Sequence, residues 1–369
     1  MRLSPLNQRR LRSFRQNRRA LWSLVIFLLL FVVSLFAELV ANDRPIMVRY
    51  RGELFFPAYR FYTDTTFGGD LGTRALYKQP DMECLIVTGG HEDCLYEDPE
   101  PLMAEARASG TVHGEPVQRG WILWPPIPFS YHTINNVGTA PSAPDGTHWL
   151  GTDSFSRDVV ARIIYGFRVS VGFALIVSSI GAVIGIAAGA VQGYFGGRTD
   201  LIFQRVLEIW GAMPGLYIII ILSAILGRSF WLLVGITILL GWPALTGVVR
   251  AEFLRTRNFE YVRAARALGV RDRTIMFRHI LPNAMVATLT MAPFIVTGAI
   301  SELAALDYLG YGLPQSWPSL GELALQGKEH TTAPWLGLSA FFTFAIMLSL
   351  LVFIFEGVRD AFDPRKTFR

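Results

Sequence analysis

Six apolar runs along this chain limit its fold more than any other feature, because several are long enough to cross a bilayer. A helix rises 1.5 Å per residue, so about 20 apolar residues span about 30 Å of hydrocarbon. We therefore predict an all-α integral membrane bundle. Its spans are predicted at roughly Leu21–Val40, Ser170–Gln192, Leu207–Leu226, Phe230–Val249, Asn283–Leu306 and Trp335–Phe355.

The composition supports a membrane protein. Hydrophobic residues make up 51% of the 369 residues and charged residues only 17%, a balance that soluble domains rarely have. The formal net charge is +5, which could suggest a nucleic-acid partner. The basic residues instead lie beside the apolar runs, as expected for membrane orientation, so we predict no nucleic acid.

The first apolar run follows a basic segment at residues 1–20. A cleavable signal peptide is the alternative reading, but its apolar region would be about 7–15 residues long and would end in small residues. The run at 21–40 is longer and has no such end. It indicates an uncleaved first transmembrane helix.

Lysine and arginine in the short loops predict the orientation. Three basic segments are residues 1–20, the loop 250–282 and the tail 358–369. With six spans all three lie on one side, and the positive-inside rule makes that side cytoplasmic. The prediction is a multi-pass protein of the bacterial inner membrane with both termini in the cytoplasm.

Residues 41–167 are then an extracytoplasmic insert, and residues 168–357 a five-helix core. The insert is too aromatic for a disordered linker, so we expect short strands and turns. It contains both cysteines, Cys84 and Cys94. A disulfide is favoured in an oxidising compartment, with free thiols as the alternative. Metal binding with His91 would need more ligands, and the six histidines are scattered, so no metal site is predicted.

Small residues and prolines modify two of the spans. Gly181, Gly185 and Gly189 recur every four residues and predict a smooth stripe that another helix can approach. Pro214 should kink the third span, because proline removes a helical hydrogen bond.

The loop 250–282 is the segment from which function can be inferred. Residues 260–268 favour a helix, Gly269 is placed to end it, and a second helix restarts near residue 271. Pro282 is expected where the chain turns back into the membrane. Ala264 and Ala265 carry little bulk, so a partner could approach this helix closely.

An apolar face on this helix leaves two interpretations open. Tyr261, Val262, Ala265 and Leu268 lie on neighbouring turns. The helix could rest on lipid headgroups, with its arginines attracted to anionic lipid. It could instead bind a protein partner.

A resemblance favours the protein partner. Arg263-Ala264-Ala265, Gly269 and Ile280-Leu281-Pro282-Asn283 resemble the cytoplasmic EAA loop of ABC importer permeases. Arg263 departs from the acid of that motif, and Glu260 lies nearby. The resemblance implies a six-span type I ABC importer permease fold, with this loop as a coupling helix in a cleft of the ATPase. The implied coupling residues are Glu260, Tyr261, Arg263, Ala264, Ala265, Gly269, Leu281 and Pro282.

Two further stretches resemble the oligopeptide/dipeptide branch of that family. One is Trp149–Asp158 with Arg162–Gly166, and the other is Leu306–Pro314 with Pro318–Leu323. The whole arrangement looks most like the permease of Yej-type importers, which are linked to microcin C and other peptides. Taken alone, the Asp and Arg side chains of the first stretch could anchor a helix end or contact substrate.

The sequence lacks catalytic and nucleotide-binding motifs. Its nearest approach to a phosphate-binding loop, residues 321–329, has one residue too many and ends in Glu. We predict no catalytic residue, and no cofactor on this chain. The resemblance implies ATP and Mg on two partner ATPase subunits or one double-domain ATPase, a second permease subunit, an extracytoplasmic peptide-binding protein and a peptide substrate.

One acid remains as a candidate for the translocation path. Glu302 lies inside the fifth span, where a carboxylate is costly and often functional. It could meet the amino terminus of a peptide or simply make a structural contact. The rival functions are an ion-gradient-driven secondary transporter, which should show inverted repeats, and a membrane scaffold whose loop recruits a signalling partner.

Overall fold

The computed structural model describes residues 5–362, so the predicted tail charges Arg365, Lys366 and Arg369 lie outside it. The chain forms two compact units, Val33–Tyr165 and the remainder. The helices are α1 (Pro5–Gln16), α2 (Arg18–Leu35), α3 (Ala37–Val40), α4 (Pro80–Thr88), α5 (Pro99–Ser109), α6 (Val159–Phe195), α7 (Gly197–Gly211), α8 (Gly215–Leu226), α9 (Phe230–Gly241), α10 (Pro243–Thr256), α11 (Glu260–Ala267), α12 (Asp272–Thr274), α13 (Leu281–Tyr308), α14 (Leu320–Glu329) and α15 (Pro334–Phe362).

The apolar runs form membrane-length helices, and the predicted all-α membrane class is confirmed. Five continuous helices are long and apolar enough to span: Arg18–Leu35, Val159–Phe195, Phe230–Thr256, Asp272–Tyr308 and Pro334–Phe362. The sixth candidate is the pair α7 and α8, which is bent by 66°. The predicted kink at Pro214 is confirmed, and it is large enough to interrupt the helix. Pro214 is the residue directly before α8.

The predicted glycine stripe packs against a neighbouring helix, but its close contacts begin one turn later, at Gly185 rather than at Gly181. A β-carbon on Gly181 would meet nothing within 4 Å, so this residue makes no close approach. The column that meets the neighbouring helix α10 continues to Gly193. A β-carbon on Gly185, Gly189 or Gly193 would lie 2.6 Å from the carbonyl oxygen of Trp242, Thr246 or Arg250, respectively. Such contacts require glycine, so α6 and α10 pack backbone against backbone.

The fifth span begins earlier than predicted, and Pro282 does not turn the chain. The span runs from Asp272 to Tyr308 and includes a π-helical segment, Ile275–Ile280. Pro282 is the second residue of α13. Because the wider π-helical turn precedes it, the proline's missing N–H does not interrupt the helix.

The basic N-terminal helix packs against the end of the last span. The guanidinium of Arg10 lies 4.2 Å from the ring centroid of Phe362. Ala20 and Phe14 of α1–α2 occupy the space where Gly357 lacks a side chain. The first and last helices therefore meet at one end of the membrane unit.

The insert unit has its own small core, as expected from its aromatic content. Strands β1 (Met47–Tyr50), β2 (Glu53–Phe55) and β5 (Trp121–Leu123) form an antiparallel sheet in the order β2-β1-β5. Strands β3 (Thr111–Val112) and β4 (Glu115–Pro116) form a hairpin. Buried aromatic and aliphatic residues of the sheet and of α4 and α5 form the core, with Phe67 at 0% exposure.

A disulfide lies within this core. Cys84 of α4 and Cys94 of the 3-10 turn Glu92–Leu95 are bonded, and both side chains are fully buried. The bond closes a loop with a sequence separation of 10. It ties the turn after α4 to the helix itself.

Candidate functional site

Helix α11 is a short helix of the loop 250–282 with one buried and one exposed face. Val262 is 0% exposed and Ala265 is 8% exposed. The helix ends as predicted at Gly269, whose φ is +76°. In that left-handed conformation Gly269 N–H donates to the carbonyl of Arg266 at 3.0 Å, and Val270 N–H donates to that of Ala265 at 3.1 Å. These bonds satisfy carbonyls that would otherwise be left unpaired.

The buried face of α11 joins a core shared with three spans. The members come from α6, α10, α11, the π-helical segment and α13. They are Ala190, Tyr194, Val249, Phe253, Val262, Ala265, Ile275, Met276, Ile280 and Ala284. One close-packed core therefore joins α11 to the ends of α6, α10 and α13.

Polar contacts fix α11 against the start of the fifth span. The amide of Asn283 donates to the hydroxyl oxygen of Tyr261 at 3.1 Å. The same amide donates to the carbonyl of His279 at 3.3 Å. On the other side, the Tyr194 hydroxyl donates to Asp272, and the guanidinium of Arg266 lies 5.3 Å from the Tyr194 ring centroid.

The predicted apolar face of α11 is divided in the structure. Val262 and Ala265 face the chain's own core, so Ala265 is unavailable to a partner. Leu268 is 83% exposed, and Tyr261 is 41% exposed. The exposed surface, which we call the α11 surface, consists of Glu260, Tyr261, Arg263, Ala264, Arg266, Ala267 and Leu268. Of the other predicted coupling residues, Pro282 is exposed and Leu281 is half-buried.

A bidentate ion pair supports this region and was missed from the sequence. The guanidinium of Arg250 donates to the carboxylate of Asp200 at 2.5 and 2.7 Å. Arg257 donates to the carbonyl oxygens of Gly193 and Tyr194, both at 3.4 Å. From the sequence alone, both arginines indicate only membrane orientation. Arg250 lies 50 residues from Asp200, so no local signal predicts their pairing.

The segment Trp149–Asp158 forms a buried polar turn. Asp153 is 0% exposed, and one of its oxygens accepts from the Arg157 side chain at 2.7 Å. The other accepts from the backbone N–H groups of Phe155 and Arg157, each at 2.9 Å. The guanidinium of Arg162, itself 1% exposed, lies 3.5 Å from the same carboxylate. Such burial supports the anchoring role over direct substrate contact.

Asp158 begins helix α6. It accepts from the N–H of Ala161 at 2.8 Å and lies 2.8 Å from Nδ1 of His148. A carboxylate at this position satisfies an unpaired helical N–H and complements the helix dipole.

The stretch Leu306–Pro314 is held by a second buried acid. Asp307 accepts from the N–H of Leu313 at 2.6 Å and from the hydroxyl of Ser319 at 2.5 Å. Ser319 also accepts from the N–H of Glu322 at 3.1 Å and so caps α14. This loop is therefore fixed by side chains to the end of α13.

Glu302 lines an apolar crevice of about 280 Å³ between α6, α9, α10 and α13. The hydroxyl of Thr237 is also buried, and it has no hydrogen-bond partner in the described part of the chain. Thr237 lines the same crevice. Two polar groups thus face one apolar space, but the pathway role of Glu302 remains a prediction.

Comparison with known proteins decides the family. Residues 163–368 match the family of binding-protein-dependent transport system inner membrane components. The chain belongs to this family. Residues 4–53 match the N-terminal transmembrane domain of oligopeptide transport permease C. The membership predicted from the EAA-like loop is therefore confirmed.

Individual relatives of this permease cover nearly its whole length. The Escherichia coli inner membrane ABC transporter permease protein YejE is 50% identical over 367 residues, which is 99% of each chain. The Agrobacterium fabrum peptidoglycan transport system permease protein YejE is 49% identical over 99% of this chain and 95% of its own. The Bacillus subtilis oligopeptide transport system permease protein OppC is 34% identical over 64% of this chain and 78% of its own.

Proposed function

We propose that this permease is the membrane subunit of an ATP-driven importer that moves peptides into the cell. The proposal is supported by relatives whose names specify oligopeptide or dipeptide transport. A relative named for peptidoglycan transport, at 49% identity, favours peptides that include cell-wall fragments. The proposed substrates also include microcin C-like peptides, as the resemblance to Yej-type permeases implies. The ion-gradient alternative gains no support from these relatives.

The α11 surface is the observation that carries the coupling mechanism. An exposed leucine, exposed arginines and a small residue, Ala264, lie on a helix whose other face is packed into three spans. A partner that binds this surface and moves would displace the ends of those spans together. ATP and Mg would be bound by that partner, and this chain would hydrolyse nothing.

The assembly we propose contains a second permease subunit, a pair of ATPase domains and an extracytoplasmic binding protein. The packing of α1 on the end of α15 supports an arrangement with both of these helix ends on one side of the membrane. The arginine-rich loop 250–282 makes that side cytoplasmic in our proposal. The α11 surface would then face the ATPase, and the insert would face the binding protein.

Co-purification tests the proposal. The tagged chain is extracted in mild detergent, and the proteins that accompany it are identified and assayed for ATPase activity. The Leu268→Asp variant changes only an exposed side chain of the α11 surface. The matched control is Leu71→Asp, since Leu71 is exposed on the insert.

We expect a P-loop ATPase to accompany the wild type and the Leu71 variant, and to be lost from the Leu268 variant. Equal recovery from both variants would contradict the coupling role of α11. Recovery of the intact wild-type chain alone, in several mild conditions, would favour a gradient-driven transporter.

The proposed role of Glu302 in the translocation path is tested separately with the variant Glu302→Gln. Normal expression together with normal uptake in this variant would contradict that role.

A further inference from the structure

Three potential metal-ligand side chains of the insert are brought together by its fold, and His91 lies beside one of them. One oxygen of Asp93, one of Glu97 and a ring nitrogen of His113 all lie within 4.8 Å of one another. Nε2 of His113 is 3.5 Å from Oδ2 of Asp93 and 3.3 Å from Oε2 of Glu97. Nδ1 of His91 is 3.4 Å from the same oxygen of Asp93.

These separations match the edges of a tetrahedral coordination site. Zinc binds imidazole nitrogen and carboxylate oxygen at about 2.0–2.2 Å, which places two ligands of a tetrahedron about 3.3–3.6 Å apart. The His113 nitrogen lies at that spacing from both Asp93 and Glu97. The oxygens of Asp93 and Glu97 lie within 4.8 Å of each other, so one ion could contact all three side chains.

The local charge favours a cation. The carboxylates of Asp93 and Glu97 lie close together, and like charges at such a distance repel each other. In the part of the chain that the structure describes, no lysine or arginine forms an ion pair with Asp93 or Glu97. A divalent ion would neutralise both carboxylates.

The backbone holds the ligands in place. Glu97 N–H donates to the carbonyl of Asp93 at 2.8 Å, so the two acids lie one helical turn apart on one side. The disulfide anchors Cys94 between them. His113 has a φ of +52° at the tip of the β3–β4 hairpin, a conformation that histidine adopts less readily than glycine. The hairpin is in turn fixed to α5, because Thr111 donates to the Glu105 carboxylate at 3.3 Å.

The Nδ1 atom of His91 supplies a second observation. It is buried and has no hydrogen-bond partner among the described residues. A ligating carboxylate is commonly oriented by an outer hydrogen-bond partner, and His91 lies in that position beside Asp93. We propose that Asp93, Glu97 and His113 bind a zinc-class divalent ion, which joins the β3–β4 hairpin to the turn at Glu92–Leu95, with His91 as the residue that positions Asp93.

Metal titration of the full chain tests this site. The protein is purified in detergent with a tag that contains no histidine, treated with chelator and dialysed. Zinc binding is followed by calorimetry, and Co²⁺ is used as a spectroscopic probe of tetrahedral geometry. The variants are His113→Ala and the isosteric Asp93→Asn. The control is His132→Ala, whose exposed ring also lies near an acid, 3.9 Å from Asp43.

We expect one zinc per chain in the wild type and in the His132 variant. Loss of a ligand should weaken binding by at least about tenfold, the lower end of what even outer-shell changes cause. Bound metal should also slow hydrogen exchange in the β3–β4 hairpin. Absence of stoichiometric binding to the wild type, or equal affinity in the His113, Asp93 and His132 variants, would overturn the proposal.

Discussion

Replacement of Val262 by alanine tests whether α11 transmits force through its buried face. Val262 is 0% exposed and lies in the core shared with α6, α10 and α13. The change removes two carbon atoms, each worth about 0.8 kcal/mol of burial, and leaves a small cavity. We therefore expect the docked helix to lose about 1.5–2.5 kcal/mol relative to its locally open state.

Hydrogen exchange measures this loss directly. A destabilisation of about 1.5–2.5 kcal/mol raises the open population by about 10- to 70-fold, and the exchange of α11 amides should accelerate by the same factor. The control is Leu268→Ala, because this side chain is 83% exposed and contributes little to docking. That variant should exchange at the wild-type rate.

The Leu268→Ala variant leaves hydrogen exchange unchanged, but we expect it to affect binding of the partner ATPase. Leu268→Ala removes contact area from the α11 surface and should weaken ATPase recovery without loosening the helix. Unchanged exchange in the Val262 variant, or faster exchange in the Leu268 variant, would refute the division of α11 into an anchored face and a docking face.

Three further predictions concern packing elsewhere in the chain. Gly189→Val should prevent stable folding, because a β-carbon there would lie 2.6 Å from a backbone oxygen, whereas Gly181→Val, with nothing within 4 Å, should express normally in a detergent-solubility assay. Asp153→Asn removes the buried carboxylate that Arg157 and Arg162 both contact and should cost about 3–5 kcal/mol, seen as a lower thermal midpoint. Replacing Cys84 and Cys94 by serine should cost the insert about 2–3 kcal/mol, measured by its rate of proteolysis.

The spans could be predicted from the sequence because each depends on a local property, the length of an apolar run. The ends of α6 were less predictable. Asp158 directly before it and Arg162 in its first turn suggest a polar loop, but both side chains are buried and paired, Asp158 with His148 and Arg162 with Asp153. Tertiary contacts supply the partners that make these charges compatible with the start of a helix.

Sequence periodicity gave the correct spacing of the glycine column but not its limits. A repeat of four residues includes Gly181 as readily as Gly193. The actual column depends on where α10 crosses α6, and that crossing is set by the whole bundle. Similarly, no local pattern separates Val262 from Leu268, since both lie on the apolar side of α11. Only the position of the core decides which one is buried.

Helix α10 contacts α6, α7 and the core that contains the buried face of α11. Its backbone touches the glycine column of α6, so the two helices must move as one body at this contact. Its Arg250 is clamped by Asp200 of α7, and its Phe253 packs in the same core as Val262 of α11. A displacement at α11 would therefore reach α6 and α7 through α10, whereas the break at Pro214 separates α7 from α8. The bend between α7 and α8 is consequently the place where we expect the transmitted movement to be absorbed.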